Sequence, residues 1–292
     1  MKMAYTNTSL FTFIGPMPFV PRTSEKTSLD INSLSLNLKE SCFFSYYLPL
    51  FGILILLYVI SNYIIFIGKG EIFQKSIIGT KRVLLVTAHP DDECMFFGPM
   101  ITHLSSVTPD VYLICLSDGN YEGQGSKRSK ELWMSCRKLG LNDENIRLYR
   151  HGLLPDNPKV SWSPLIIGHI VLQFVETLCI DTLITFDAYG VSGHSNHSAI
   201  YRALMHLTGK KAVPDYCKIY VLESVNILRK YSICVDLLLS HFTSQYIYVT
   251  SPEKRKMILE AMGQHSSQLL WYRKLYLLFS RYCYINTIRS IS

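Results

Sequence analysis

The 292-residue chain is short of charge and has no paired-cysteine motif. Charged residues make up 17 % of it, and the mean hydropathy is positive, at +0.17. Both values point to a chain that sits partly in something other than water. Its eight cysteines form no C-x-x-C pair, and several lie inside apolar runs, such as Cys115 within residues 111–116. That pattern excludes a zinc ribbon or a disulfide frame and suits reduced core residues of a cytosolic domain. No internal repeat is visible. The glycines ahead of Arg128 do not form G-x-G-x-x-G, so a dinucleotide site has no support. The net charge of +7, with a pI near 8.9, is spread over scattered lysines and arginines. It argues for no nucleic-acid partner and suits a basic face toward anionic phospholipid or a phosphorylated substrate.

The length allows one ordinary α/β domain with extras. Residues 1–45 are rich in Ser, Thr, Asn and Pro without a sustained period, which predicts disorder. Their apolar core starts too late for a signal peptide. Residues 46–67 carry no charge, with Tyr46, Tyr47 and Tyr63 near the ends, and about 20 apolar residues suffice to cross a bilayer. This stretch is predicted to be one transmembrane helix. Lys69, Lys75, Lys81 and Arg82 follow it, whereas the nearest cations before it are Lys39 and Lys26, so the domain beyond is expected on the cytosolic side. The sequon at Asn196, inside the motif described below, agrees with a domain kept away from glycosylation.

From Lys81 short apolar runs alternate with helical patterns. Strands are expected over 82–88, 111–117, 145–149, 181–186, 218–223 and 246–250, and helices over 126–139, 164–179 and 252–262. Ser251 is a predicted N-cap, with Pro252 at the first helical position. This order predicts an α/β fold: an open, mainly parallel Rossmann-like sheet with helices on both faces. Ligands in such sheets bind beyond the C-terminal ends of the strands. The aromatic and basic stretch 269–292 has two readings, an amphipathic helix on a membrane surface or a helix packed on the domain.

Two motifs carry chemistry. Ala88-His89-Pro90-Asp91-Asp92-Glu93 follows the first strand directly, and Gly193-His194-Ser195-Asn196-His197 follows the strand at 181–186 after a short loop. Both therefore emerge at the same sheet edge. Together they offer imidazole and carboxylate metal ligands, a spare carboxylate suited to accept a proton, and a spare histidine.

With these residues the chain resembles the N-acetylglucosaminylphosphatidylinositol de-N-acetylase family, the PIG-L/LmbE-like deacetylases. The resemblance covers roughly residues 81–268 and includes Leu116-Ser117-Asp118-Gly119-Asn120, the stretch from Gly123 through Arg128 to Glu131-Leu132, and His265-Ser266-Ser267-Gln268. It implies that His89, Asp92 and His197 bind the metal, that Asp91 is the general base, and that His194 stabilises the oxyanion as an imidazolium. Zinc is the implied cofactor, although the same donors suit Fe, Co or Mn. The implied substrate is phosphatidylinositol-linked N-acetylglucosamine in the endoplasmic reticulum membrane, deacetylated in the second step of GPI-anchor assembly. The adjacent pair leaves Asp91 open as a second ligand. Arg128 has two readings, a contact to substrate phosphate or sugar, or a surface arginine paired with Glu131. His265 either lines the pocket or is a satisfied packing histidine, and Glu93 either orients a ligand or starts a helix. Met95, Phe96 and Phe97 read as core. Two rival functions remain: a deacetylase of a soluble N-acetylglucosamine conjugate, and an inert membrane-anchored sugar-lipid binding module. The sequence names no protein partner.

Overall fold

The computed structural model describes residues 45–60, 63, 71–157 and 159–291. The chain divides into two compact units, Met1–Gly52 and Ile53–Ser292. Of the first, residues 45–52 are described, and they are helical and exposed. The helix they open runs to residue 60. No helix among the described residues is long and apolar enough to cross a membrane. Most of the segment predicted to be disordered, and part of the predicted span (61, 62 and 64–67), lie outside the described residues.

Strand β1 (Arg82–Thr87) is buried at every position after the first, and β4 (Thr182–Phe186) is buried throughout. Such unbroken burial marks the centre of a sheet covered on both faces, which is why these segments read as apolar runs without alternation. The other strands are β2 (Asp110–Cys115), β3 (Ile146–Leu148), β5 (Lys218–Leu222), β6 (Tyr246–Val249) and β7 (Ile285–Ser290). They join in one sheet of seven, ordered β3-β2-β1-β4-β5-β7-β6. Strands β3, β2, β1, β4 and β5 are parallel, while β7 runs antiparallel to both β5 and β6.

The helices form two layers. Helices α2 (Gly98–Val107), α3 (Gly125–Lys138) and α8 (Pro252–Gln264) pack together, and α4 (Pro164–Thr177) packs on α5 (Ser195–Gly209). Right-handed crossovers place them so, because the chain moves outward from β1 through β2 to β3, then returns to β4 on the other side of β1. Ser251 caps α8 as expected, its Oγ accepting from the Lys254 amide at 3.3 Å.

The C-terminal stretch is helical only in its first part. Trp271–Phe279 is an α-helix, α9, with Leu277 buried against the domain, and after the 3-10 turn Arg281–Cys283 strand β7 enters the sheet between β5 and β6. Ile285 and Ile288 are fully buried there. The aromatic run 271–279 hides this, because a single inserted strand of six residues, Ile-Asn-Thr-Ile-Arg-Ser, has too few apolar positions to stand out.

Candidate active site

The strand order reverses direction between β1 and β4, and the two motifs leave the sheet on either side of that point. A crevice opens beyond the strand ends wherever neighbouring connections depart to opposite faces. His89 leaves β1 and His197 lies on α5 beyond β4, yet their rings are 5.5 Å apart. His194 is 4.8 Å from His89 and 4.9 Å from His197, centroid to centroid. The sequence expectation that two distant stretches converge is met.

Short-range hydrogen bonds shape each arm. Asp92 begins α1 (Asp92–Met95), and its Oδ2 accepts from the amides of Ala88 and His89, each at 2.9 Å. That leaves Oδ1 pointing at the histidines, 3.3 Å from His197 Nε2. Burial alone would raise the Asp92 carboxyl, but His197 and His89 hold it well below the usual range, so it stays ionised. On the other arm Asp187 Oδ1 accepts from the amides of Tyr189 and Gly190 and fixes the loop after β4. Gly190 sits at φ +65°, and a Cβ there would lie 2.6 Å from the His197 Cβ. Only glycine fits this turn. Its carbonyl lies 3.0 Å from His197 Nδ1, and the His197 ring stacks on Phe186 at 4.0 Å.

A metal fits this donor set. His197 is buried, its Nδ1 is engaged by the Gly190 carbonyl, and its Nε2 has no hydrogen-bond partner. The 3.3 Å approach of Asp92 Oδ1 lacks hydrogen-bonding geometry. Burying an unpartnered imidazole nitrogen is costly, whereas a carbonyl on the far nitrogen is the usual arrangement behind a metal-bound histidine. Donor nitrogens of His89, His194 and His197 lie within 4.8 Å of one another, which is the span of one ion's ligands. His194 therefore stands close enough to be a ligand itself, beside the Asp92 carboxylate.

His194 also caps α5, its Nδ1 accepting from the Asn196 amide at 3.3 Å. Burial, then the neighbouring His89 and His197, lower its pKa to about 4. In the unliganded protein these surroundings disfavour the protonated ring.

Asp91 adopts φ 113°, a conformation that costs a non-glycine residue energy and persists only where surroundings impose it. Glu93 Oε2 accepts from its amide at 3.0 Å, and Arg128 and Arg273 both reach its Oδ2, Arg128 at 3.4 Å. Among the described residues nothing bonds Oδ1, so one oxygen of the buried carboxylate is held and the other is free to accept a proton.

The surface reading of Arg128 and the pocket-lining reading of His265 are overturned. Arg128 is neither at the surface nor paired with Glu131. It is buried, donating to the carbonyls of Pro90 (2.7 Å) and Gly119 (2.8 Å) and to Asp156 (3.3 Å). It clamps the motif loop to its neighbours. His265 does not line the pocket. It is fully buried, with Nε2 2.6 Å from Glu93 Oε1, which also accepts from Ser135 Oγ at 2.6 Å. Glu93 in turn holds the Asp91 amide, so the packing reading of His265 and the orienting reading of Glu93 stand together. Phe96 is buried as expected, but it also borders the site, 5.7 Å from the His197 ring.

Three residues at the site went unread. Asp156 Oδ1 lies 3.2 Å from His89 Nε2, and the Asn196 side-chain amide nitrogen lies 3.0 Å from the same atom. Asp156 was discoverable, because its loop follows a strand and so reaches the same rim. Arg273, on α9, had no such signal, since its contact depends on how the C-terminal stretch returns.

Residues 84–208 match the family model described as GlcNAc-PI de-N-acetylase. The N-acetylglucosaminyl-phosphatidylinositol de-N-acetylase of Bos taurus is 44 % identical over 214 residues, covering 73 % of this chain and 85 % of that protein. The protein of the same name from Saccharomyces cerevisiae is 30 % identical over 249 residues, covering 71 % and 81 %. Among solved structures, an N,N'-diacetylchitobiose deacetylase from Pyrococcus horikoshii superposes with a TM-score of 0.55 at 16 % identity, over 73 % of this chain and 84 % of that one. The zinc-inhibited form of a teicoplanin deacetylase gives 0.51 at 13 % identity, over 72 % and 98 %. The structural likenesses establish the fold, and with the two motifs intact at its switch point the chain belongs to the GlcNAc-PI de-N-acetylase family.

Proposed function

We propose that this protein removes acetate from N-acetylglucosaminylphosphatidylinositol, giving glucosaminylphosphatidylinositol, the second step of GPI-anchor assembly. The observation that carries the reading is the meeting of His89, Asp92, His194 and His197 beside a buried, clamped Asp91. His89, Asp92 and His197 would hold a divalent metal, zinc by the family resemblance. Such an ion supplies Lewis acidity toward the acetamide carbonyl and brings bound water's pKa toward neutrality.

The chain's own groups do the rest. Asp91 accepts a proton from the attacking water at its unbonded oxygen while Arg128 and Arg273 hold the other. His194 faces the same space and is placed to donate a hydrogen bond to the oxyanion or take up a proton as charge develops there. Glu93 and His265 keep the Asp91 backbone in its strained position without touching substrate. The membrane setting rests on the uncharged segment 46–67 and on the basic flank Lys69 to Arg82, which favours a cytosolic domain at the endoplasmic reticulum.

Acetate release from the lipid substrate is the direct test. Asp91→Asn is expected to lower it by about 10²–10⁴-fold with metal content unchanged. Loss of metal in that variant would make Asp91 a ligand, and full activity would remove it as the base.

A further inference from the structure

A cavity of about 660 Å³ opens beside the catalytic cluster, between α1, α9 and the short helix α6 (Ile227–Tyr231). Phe96 and Arg273 form its inner end. Phe96 touches the His197 ring and Arg273 touches Asp91, so the cavity adjoins the site. Leu275 and Phe279 line its outer part. No carboxylate lines it, and its two cations are Arg273 and Lys230. Arg273 is already neutralised by Asp91. Lys230 is not: its ammonium lies over the rings of Tyr276 (5.2 Å) and Tyr231 (5.7 Å), and among the described residues no acidic group pairs with it.

We propose that Lys230 binds the phosphodiester of the lipid substrate, and that the exposed apolar face of α9 and α6 receives its acyl chains. This rests on the deacetylase reading above and names the part of that site which selects a lipid. The substrate's scissile amide and its phosphodiester are separated by a sugar ring and an inositol ring. Lys230 is separated from His197 by two aromatic side chains in sequence, Tyr276 and Phe96, with ring centroids 6.0 Å apart. Charge suits the substrate, because an anion carried on apolar chains needs one unpaired cation in an apolar wall. Burial holds the Lys230 ammonium below its ordinary pKa, and an incoming phosphate would supply the missing counter-charge. Outward of Lys230, Ile227, Leu228, Trp271 and Leu275 are exposed, a patch that water alone does not favour.

The full-length protein is assayed for acetate release as wild type, Lys230→Met and Lys230→Arg. One substrate is GlcNAc-phosphatidylinositol in phosphatidylcholine vesicles, and the other is water-soluble GlcNAc-inositol without the phosphate. For the phospholipid, Lys230→Met should raise KM about ten-fold or more with kcat held, as expected for loss of a hydrogen bond to a charged group. Lys230→Arg should restore most of the loss, and the phosphate-free substrate should be hydrolysed at the wild-type rate by both variants. An unchanged phospholipid KM, or equal loss on both substrates, overturns the proposal. Should Lys230→Met fail to fold, inhibition of the wild type decides. Dioctanoyl-phosphatidylinositol should compete with the phospholipid substrate, and dioctanoylglycerol should not. Equal competition by the neutral lipid overturns the phosphate subsite, and so does equal competition by phosphatidylserine vesicles, which would make Lys230 a general membrane contact. A wild-type protein that releases acetate from neither substrate refutes the deacetylase reading instead.

Discussion

Gly190 shows how little room the site leaves. Its positive φ and the 2.6 Å approach to the His197 Cβ mean that Gly190→Ala must both strain the turn and push the ring of His197, a proposed metal ligand. We expect a loss of about 1–3 kcal/mol in urea unfolding, the usual cost of a forced left-handed residue, together with reduced metal content. A variant with normal metal content would show that the loop yields. The pair formed by Glu93 and His265 makes a pH prediction. Burial pulls His265 down, but the Glu93 carboxylate more than offsets this and raises it above its ordinary 6.5. Stability from a raised histidine is full below 6.5 and is lost as pH rises through the raised value. Glu93 is lowered from 4.5, since His265 and Ser135 outweigh its burial, so its share is present above 4.5 and lost as pH falls through the lowered value. His265→Gln should therefore cost most between these ordinary values, about 3 kcal/mol, by leaving a buried carboxylate without its cation. Denaturant curves across pH test it, and a cost independent of pH would show that the pair is held by packing alone. Both motifs and their donor atoms were legible at this scale, because a metal demands particular residue types. The surface reading of Arg128 and the pocket reading of His265 failed, since a sequence does not say whether a polar group faces water or a buried partner.

At the level of elements, the parallel strands were readable because burial on both faces demands continuous apolar runs, and β1 through β6 lie within a residue or two of expectation. Helix α7 (Ile233–Thr243) and strand β7 were not. Helix α7 carries Asp236, fully buried, accepting hydrogen bonds from Arg229 at 2.7 Å and from the fully buried Arg281 at 3.3 Å, so polar residues there face inward and break the amphipathic pattern. Strand β7 supplies the ladder for two neighbours, and its fully buried Ile285 and Ile288 together contribute about 3–6 kcal/mol. A chain ending at Phe279 should consequently lose its cooperative thermal transition, measured by circular dichroism, because that contribution is a large part of an ordinary domain's stability of about 5–15 kcal/mol. An unchanged melting curve would return the tail to the status of an appendage. The same return path brings Arg273 to Asp91, so one C-terminal stretch closes the sheet and holds the proposed base.

For the molecule as a whole, the proposed metal donors cluster at the rim of the sheet while the core lies behind them. A chelator should accordingly abolish acetate release, and zinc should restore it, with the far-ultraviolet circular dichroism unchanged throughout. Coincident loss of secondary structure would mean that the ion holds the fold together rather than serving the site alone. The seven cysteines among the described residues form no disulfide with one another, in keeping with the reduced state expected from their spacing. What the sequence determined by itself was the order of strands and helices, the parallel sheet and the identity of the donor atoms. Each of these is written in local periodicity or in the residue types that a reaction requires. Tertiary structure decided which polar groups meet: Arg128 and Arg273 on one oxygen of Asp91, Asp156 beside His89, His265 behind Glu93, Lys230 in an apolar wall. Those pairings join residues far apart in the chain, and no local pattern encodes a contact whose partner is chosen only when the sheet closes.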